Sequence, residues 1–224
     1  MSHPLSKKLA GLIDHTLLKP NSSESDHIQL CKEAKKWGFR TVCVFPQFVA
    51  MCAELLKGTA TEVCTVIDFP KGLGDVANNV VDVAMATSDG AMEIDMVMDI
   101  DAFKSKNYEK VAIGIHNVVE AAEGRIVKII IESCLWNDDQ IKMACQIVQS
   151  ANGHFIKTSS GFSKSGASIS DVKVIRETVG DVFGVKASGG IKSYENALSM
   201  IQAGANRIGT SSGADIMKGI HHLS

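Results

Sequence analysis

Short β-branched runs alternate with helix-periodic stretches along the whole 224-residue chain, at a repeat of roughly 28 residues. Strands are expected at 12–16 (LIDHT), 41–45 (TVCVF), 63–68 (VCTVID), 92–97 (MEIDMV), 126–131 (IVKIII), 154–158 (HFIKT), 182–187 (VFGVKA) and 206–210 (NRIGT). Between them, 24–37 carries Ile28, Cys31 and Ala34 on one helical face behind the capping run "NSS". The stretch 103–123 places Val111, Ile115, Val118 and Val119 at helix spacing. Segments 137–153, 168–180 and 193–205 each start on Asn or Ser, and the second begins S-x-x-D, close to a capping box. This alternation implies parallel strands joined by right-handed crossovers. Eight units argue for a closed (β/α)8 TIM barrel, one domain over residues 1–224. An open doubly wound sheet is the competitor, but it needs a Gly-rich turn after an early strand. "KGLGD" at 71–75 lacks the rest of that fingerprint.

A hydrophobic content of 45% supplies a sizeable core. The formal charge of −2 and the absence of a basic stripe give no electrostatic case for nucleic acid or acidic membranes. Asp14, His15 and Lys19 interrupt any apolar run near the start, and no segment is long enough to span a bilayer. A cytoplasmic protein is expected. The six cysteines lie in strand or helix patterns and form no C-x-x-C pair, so they read as small buried hydrophobes. Cys43 on the second strand is read the same way. The seven histidines make no ligand-spaced cluster, so neither a metal nor another cofactor is expected, and His221–His222 reads as solvated.

The unusual residues are lysines inside strand patterns. Lys128, Lys157 and Lys186 recur 29 residues apart at equivalent points of successive units. Lysine is almost never buried without a partner or a role, and functional groups of such a barrel gather at the carboxyl ends of its strands. Alternation puts Phe155, Lys157 and Ser159 on one face, and Gly184, Lys186 and Ser188 on one face of the next strand, with Gly184 leaving room below Lys186. Two ammonium groups brought together, partly desolvated, disfavour their own charged form. A neutral amine attacks an aldehyde or ketone to give an iminium, an electron sink for making or breaking the adjacent carbon–carbon bond without a metal. Asp95 and Glu93 share a face, and one of them is expected to reach the interior; Asp95 would there move protons through a bound water. Asp14, at the end of the first strand, either joins this set or orients loops.

"ASGGI" (187–191) and "GTSSG" (209–213) follow strands seven and eight, the usual phosphate end of such barrels. Ser188, Gly189, Gly190, Gly209, Ser211 and Ser212, with Gly161 from "TSSG", would offer backbone N–H groups to an anion.

The motifs "IDHTLLKP", "EIDMV", "VKIIIES", "FIKTSSGFS", "GVKASGGI" and "RIGTSSG", in this order over nearly the whole chain, resemble the deoxyribose-phosphate aldolase family. The resemblance implies a metal-free class I aldolase interconverting 2-deoxy-D-ribose 5-phosphate with D-glyceraldehyde 3-phosphate and acetaldehyde, in nucleoside catabolism, as a homodimer. It implies that Lys157 forms the Schiff base, Lys186 tunes it and Asp95 transfers protons. Lys128 and Asp14 would be polar supports. Departures from the pattern are Phe45, Asp68, Asp99, Asp101 and Ser160; acids reaching the mouth would repel a phosphate. Three alternatives stay open: a class I aldolase for another phosphorylated sugar, a pyridoxal phosphate enzyme held through Lys157, and a barrel that binds a sugar phosphate without turning it over.

Overall fold

Eight strands appear within two residues of where the pattern puts them. A computed structural model describes residues 8–220, so His3 and the His221–His222 pair lie outside the described residues. The strands are β1 (Ile13–Leu17), β2 (Thr41–Val44), β3 (Glu62–Ile67), β4 (Glu93–Val97), β5 (Ile126–Ile130), β6 (Phe155–Lys157), β7 (Gly184–Ser188) and β8 (Arg207–Thr210). Each pairs in parallel with its sequence neighbours, and β1 pairs with β8, so the sheet closes and has no edge.

The helices of the outer layer follow from their caps. Helix α1 (Glu24–Trp37) starts at Ser23, whose hydroxyl accepts from Asp26 N–H while the Asp26 carboxylate returns to Ser23 N–H. Its buried face is His27, Leu30, Cys31 and Ala34, and Ile28 is only half-buried. Helices α2 (Val49–Leu56) and α3 (Val76–Ser88) follow β2 and β3. The single helix expected over 103–123 is two, α4 (Ile100–Lys104) and α5 (Tyr108–Ala121). Lys106 takes a left-handed φ of 61° between them, and Asn107 caps the second helix by accepting Lys110 N–H. Helices α6 (Asp138–Ser150), α7 (Ile169–Val179), α8 (Tyr194–Gln202) and α9 (Gly213–Ile220) complete the layer. The S-x-x-D box is only half closed. Ser168 accepts Asp171 N–H, but the Asp171 carboxylate instead accepts from the Ser133 hydroxyl at 2.7 Å, tying α7 to the loop after β5. Among the described residues no helix is long and apolar enough to cross a membrane.

The strands are buried on both faces, as parallel barrel strands are. Outward side chains such as Ile94, Val127, Ile129, Ile156, Val185 and Ile208 join the helices in one apolar layer. The interior is divided. Leu18, Cys43, Cys64 and Val66, with Phe45 and Phe69 against them, form a separate small cluster, whereas β4 to β8 turn charges inward. Register places Lys157 directly beside Lys186 and Lys186 beside Arg207. Lys128 aligns with Phe155, one inward layer below Lys157, because adjacent barrel strands are staggered. Gly184 does leave room, but Phe155 takes it: a Cβ there would lie 2.2 Å from the ring. That ring in turn lies 5.2 Å from the Arg207 guanidinium.

Candidate active site

Asp95, in the middle of β4, has no solvent exposure and holds three ammonium groups. Its Oδ2 accepts from Lys157 Nζ at 2.8 Å and from Lys186 Nζ at 2.7 Å, and its Oδ1 from Lys128 Nζ at 2.7 Å. Asp14 lies second in β1, deep in the barrel rather than at its end. It contacts Lys186 at 2.5 Å, Arg207 at 2.8 Å and Lys128 at 3.7 Å. Both Glu93 and Asp95 face inward, where only one was expected. Glu93 Oε2 lies 2.7 Å from Lys128 and 2.8 Å from Arg207. The structure therefore brings together all five side chains expected at the reacting centre and adds Glu93 and Arg207 beneath them. The signal for Arg207 was available: it is the second residue of the eighth strand pattern, and the alternation test applied to the lysines puts it on one face with Gly209.

These contacts set the charges. Burial opposes ionisation of Asp95, but the ammonium groups of Lys128, Lys157 and Lys186 outweigh it and hold the carboxyl far below its ordinary range. Asp14 is likewise held low, against burial, by Lys186, Lys128 and Arg207. The expectation that the paired lysines disfavour their own charged form fails for Lys186. Burial disfavours the Lys186 cation, yet Asp14 and Asp95 raise its pKa above the ordinary lysine value. Lys128 is raised as well, with Asp95 the main cause opposing burial.

Cys64, read from sequence as packing, touches this network at 3.3 Å from both Asp95 Oδ1 and Lys128 Nζ. Cys43 is its register partner on β2. The two thiols and the Asp95 carboxylate lie within 4.8 Å of one another, a spacing that suits a metal ion. Both carboxylate oxygens, however, already face ammonium groups, which oppose a cation there.

Above Lys157 opens a cavity of about 240 Å³. Gly161, Ser188, Gly189, Gly190, Gly209 and Ser211 line it with Lys157, as expected for the anion end. Ser188 contributes shape more than donors, since its N–H goes to Thr158 Oγ1 and its hydroxyl to Ser159 O. Gly209 also clears space for the Lys186 stem: a Cβ there would meet Lys186 Cε at 2.9 Å. Ser212 is not part of the wall. Its N–H donates to Thr210 Oγ1 at 2.9 Å, and its carbonyl accepts from Asp215 and Ile216 at the start of α9. Two exposed cations missed from the sequence, Lys19 and Lys192, line the cavity instead. Lys19 stands in the motif "IDHTLLKP" and Lys192 directly follows "GVKASGGI", so a search for cations beside the glycine loops would have found them.

The unusual acids do not reach this wall. The Asp68 carboxylate accepts the N–H groups of Leu73 and Gly74 and the Asn79 amide. Asp99 caps α4 and pairs with Lys110 at 2.7 Å. Asp101 is exposed in the first turn of α4. Phe45 packs on the inner apolar cluster with Phe69, whose ring meets Phe162 edge-on at 5.3 Å. Glu132, with a left-handed φ of 52°, accepts Ser160 N–H and so ties down the loop that carries Gly161 and Phe162.

Along nearly its whole length the chain is similar to known aldolases. The model of the DeoC/LacD family aldolases matches residues 8–219. The deoxyribose-phosphate aldolase of Streptococcus sanguinis is 50% identical over 212 residues, covering 95% of this chain and 96% of its own. That of Caldanaerobacter subterraneus subsp. tengcongensis is 46% identical over 213 residues, covering 94% and 92%. Among solved structures, the tetrameric deoxyribose phosphate aldolase from Aeropyrum pernix superposes with a TM-score of 0.90 at 31% identity, over 98% of this chain and 94% of that one. Barrel, buried lysines and near full-length similarity agree, and the chain belongs to the DeoC/LacD family of aldolases.

Proposed function

We propose that this protein is a class I aldolase that reversibly cleaves 2-deoxy-D-ribose 5-phosphate to D-glyceraldehyde 3-phosphate and acetaldehyde. The observation that carries the reading is the position of Lys157. Its amine sits between the Asp95 carboxylate below and a glycine- and lysine-walled cavity above. In cleavage, the amine adds to the C1 aldehyde, and loss of water gives an iminium. A proton leaves the C3 hydroxyl, the C2–C3 bond breaks, and its electron pair passes into the iminium as an enamine. Glyceraldehyde 3-phosphate departs; protonation at C2 and hydrolysis then return acetaldehyde and the free amine. The electron sink is built from the protein's own lysine, so the cycle closes with side chains and water.

Within this reading Asp95 stays an anion, accepting a proton only in passing and through a bound water. Lys186 stays an ammonium and presents fixed positive charge beside the amine. Lys128 and Asp14 hold those two in place. Gly189, Gly190, Gly209, Ser211 and Gly161 shape the phosphate seat, and Lys19 and Lys192 supply its charge. A cytoplasmic location, a homodimer and a role in nucleoside catabolism belong to the same proposal.

The direct test is borohydride trapping with acetaldehyde or deoxyribose 5-phosphate, followed by peptide mass mapping. An ethyl adduct on Lys157 from acetaldehyde supports the reading, and no adduct on the folded protein overturns it. The phosphate assignment makes a separate prediction. Lys192→Ala should raise KM for deoxyribose 5-phosphate about tenfold, as loss of one phosphate cation does. Trapping by acetaldehyde, which carries no phosphate, should not follow that loss.

A further inference from the structure

Three buried lysines crowd one carboxylate, and the chemistry needs one of them to give up its proton while the others keep theirs. The contacts say which. Among the described residues, the connected charges of the interior are three carboxylates, Asp14, Glu93 and Asp95, and four cationic side chains, Lys128, Lys157, Lys186 and Arg207. Lys128 touches Asp95, Glu93 and, farther off, Asp14; Lys186 touches Asp14 and Asp95; Arg207 touches Asp14 and Glu93. Lys157 alone in this set has a single carboxylate, which it shares with two other lysines. It is also the one whose amine borders the cavity.

We propose that Arg207 and Glu93 are positioning residues that fix the charge count of the interior, so that it is balanced when Lys157 is the neutral amine. The inference rests on Lys157 being the reactive amine, and it concerns how that amine is selected. Arg207 neutralises Asp14 and Glu93 from below through Nη1, 2.8 Å from each. With Arg207 in place, three fixed cations meet three carboxylates, and a fourth proton on Lys157 is in excess. Without it, three carboxylates face only three lysines, and the balance closes with Lys157 protonated.

The remaining groups around the network do not alter this count. Arg40 reaches Glu93 Oε1 at 3.3 Å but is matched by Glu62 at 2.7 Å. The thiol of Cys64, on β3, is pushed above its ordinary range, chiefly by burial, and stays uncharged. Cys43, on β2, is shifted the other way, below its ordinary thiol range, chiefly by its hydrogen bond with Cys64 and against burial and Asp95, with Lys186 and Lys157 nearby. It is the same in every variant compared below and leaves their differences unaffected. On β8, Phe155 from β6 covers the Arg207 guanidinium and brings no charge.

The test is the pH dependence of acetaldehyde trapping at Lys157, read by mass mapping in the full-length chain. Relative to wild type, Arg207→Met should move the midpoint of the rising acid limb up by about one pH unit or more, the size of a lost buried charge partner. Glu93→Gln should move it down by a similar amount. The double variant Arg207→Met/Glu93→Gln again has one cation in excess of its carboxylates, and its midpoint should return to within a few tenths of wild type. Arg207→Lys, which keeps the charge, should leave the midpoint in place and guards against loss of fold, checked by thermal melting. Midpoints that stay put in both single variants, or that move the same way, would overturn the proposal, because a purely structural role lowers rates without opposite shifts. Failure to trap wild-type Lys157 at any pH is a different result and would overturn the aldolase mechanism instead.

Discussion

Replacing Lys157 with alanine is expected to abolish borohydride trapping and lower kcat/KM for deoxyribose 5-phosphate by roughly 10⁵-fold, the scale seen when a covalent nucleophile is removed. The protein should nonetheless fold. Asp95 keeps Lys128 on Oδ1 and Lys186 on Oδ2, so removal of Lys157 leaves no carboxylate without a partner. The measurement is steady-state cleavage coupled to detection of glyceraldehyde 3-phosphate, alongside denaturant unfolding. A variant that keeps more than a hundredth of wild-type kcat/KM would mean that the covalent step belongs elsewhere. Transfer of the ethyl adduct to Lys186 would preserve the chemistry and reassign the amine.

The largest loss of stability should come from Asp95→Asn. The substitution keeps the shape but takes from Lys157 its one carboxylate and from Lys128 and Lys186 one partner each, and breaking a buried pair from one side costs about 3–5 kcal/mol. Its pH dependence follows from the direction of each shift. Asp14 and Asp95 are held below the ordinary carboxylate range. Their contribution is therefore complete above about pH 4, the unfolded value, and is lost as pH falls through the depressed folded values. Lys128 and Lys186 are raised. Their contribution is complete below about pH 10, the unfolded value, and is lost as pH rises through the raised folded values. Wild type should thus be flat between about pH 5 and 9 as far as this network is concerned. In Asp95→Asn, Lys128 keeps Glu93 and Lys186 keeps Asp14, but Lys157 has lost its single carboxylate and should bind its proton less tightly folded than unfolded, so the variant's stability should rise with pH from neutrality toward about 10. Urea midpoints measured across that range test the sign. A variant whose midpoint instead falls with pH would show that Lys157 has found another carboxylate.

The barrel was legible because its signal is redundant. Each strand carries β-branched residues, most helices start at a capping side chain, and the unit recurs eight times, so an error of one or two residues in any strand does not disturb the topology. Lys157, Lys186 and Lys128 were legible for the opposite reason, as charges in a context where burial is costly. What the sequence hid was pairing across strands. Nothing in "VKASGG" says that Lys186 meets Asp14 from the first strand, so the net direction of its proton affinity was read from its lysine neighbour and came out reversed. Arg207 was passed over because arginine at a strand start usually reaches water. The bond from Ser212 N–H to Thr210 was hidden too, because a glycine–serine run does not reveal which N–H groups a nearby threonine will claim. Asp68 and Asp99 were suspected of facing the ligand. Short carboxylates beside "PKGLG" and ahead of a helix are instead taken up by local N–H groups.

The contact between Asp14 and Arg207 joins residues 193 positions apart and bridges the strands that close the ring. Until β8 arrives, Asp14 and Glu93 lack their arginine, and their carboxylates favour hydration over a dry interior. A chain still missing its last unit therefore has reason to stay wet inside, however well its first seven units are formed. Sealing the ring and drying its centre become one event. Native-state hydrogen exchange should accordingly find the amides of β1, β4 and β8 opening together, with one shared free energy, rather than fraying in order from the ends.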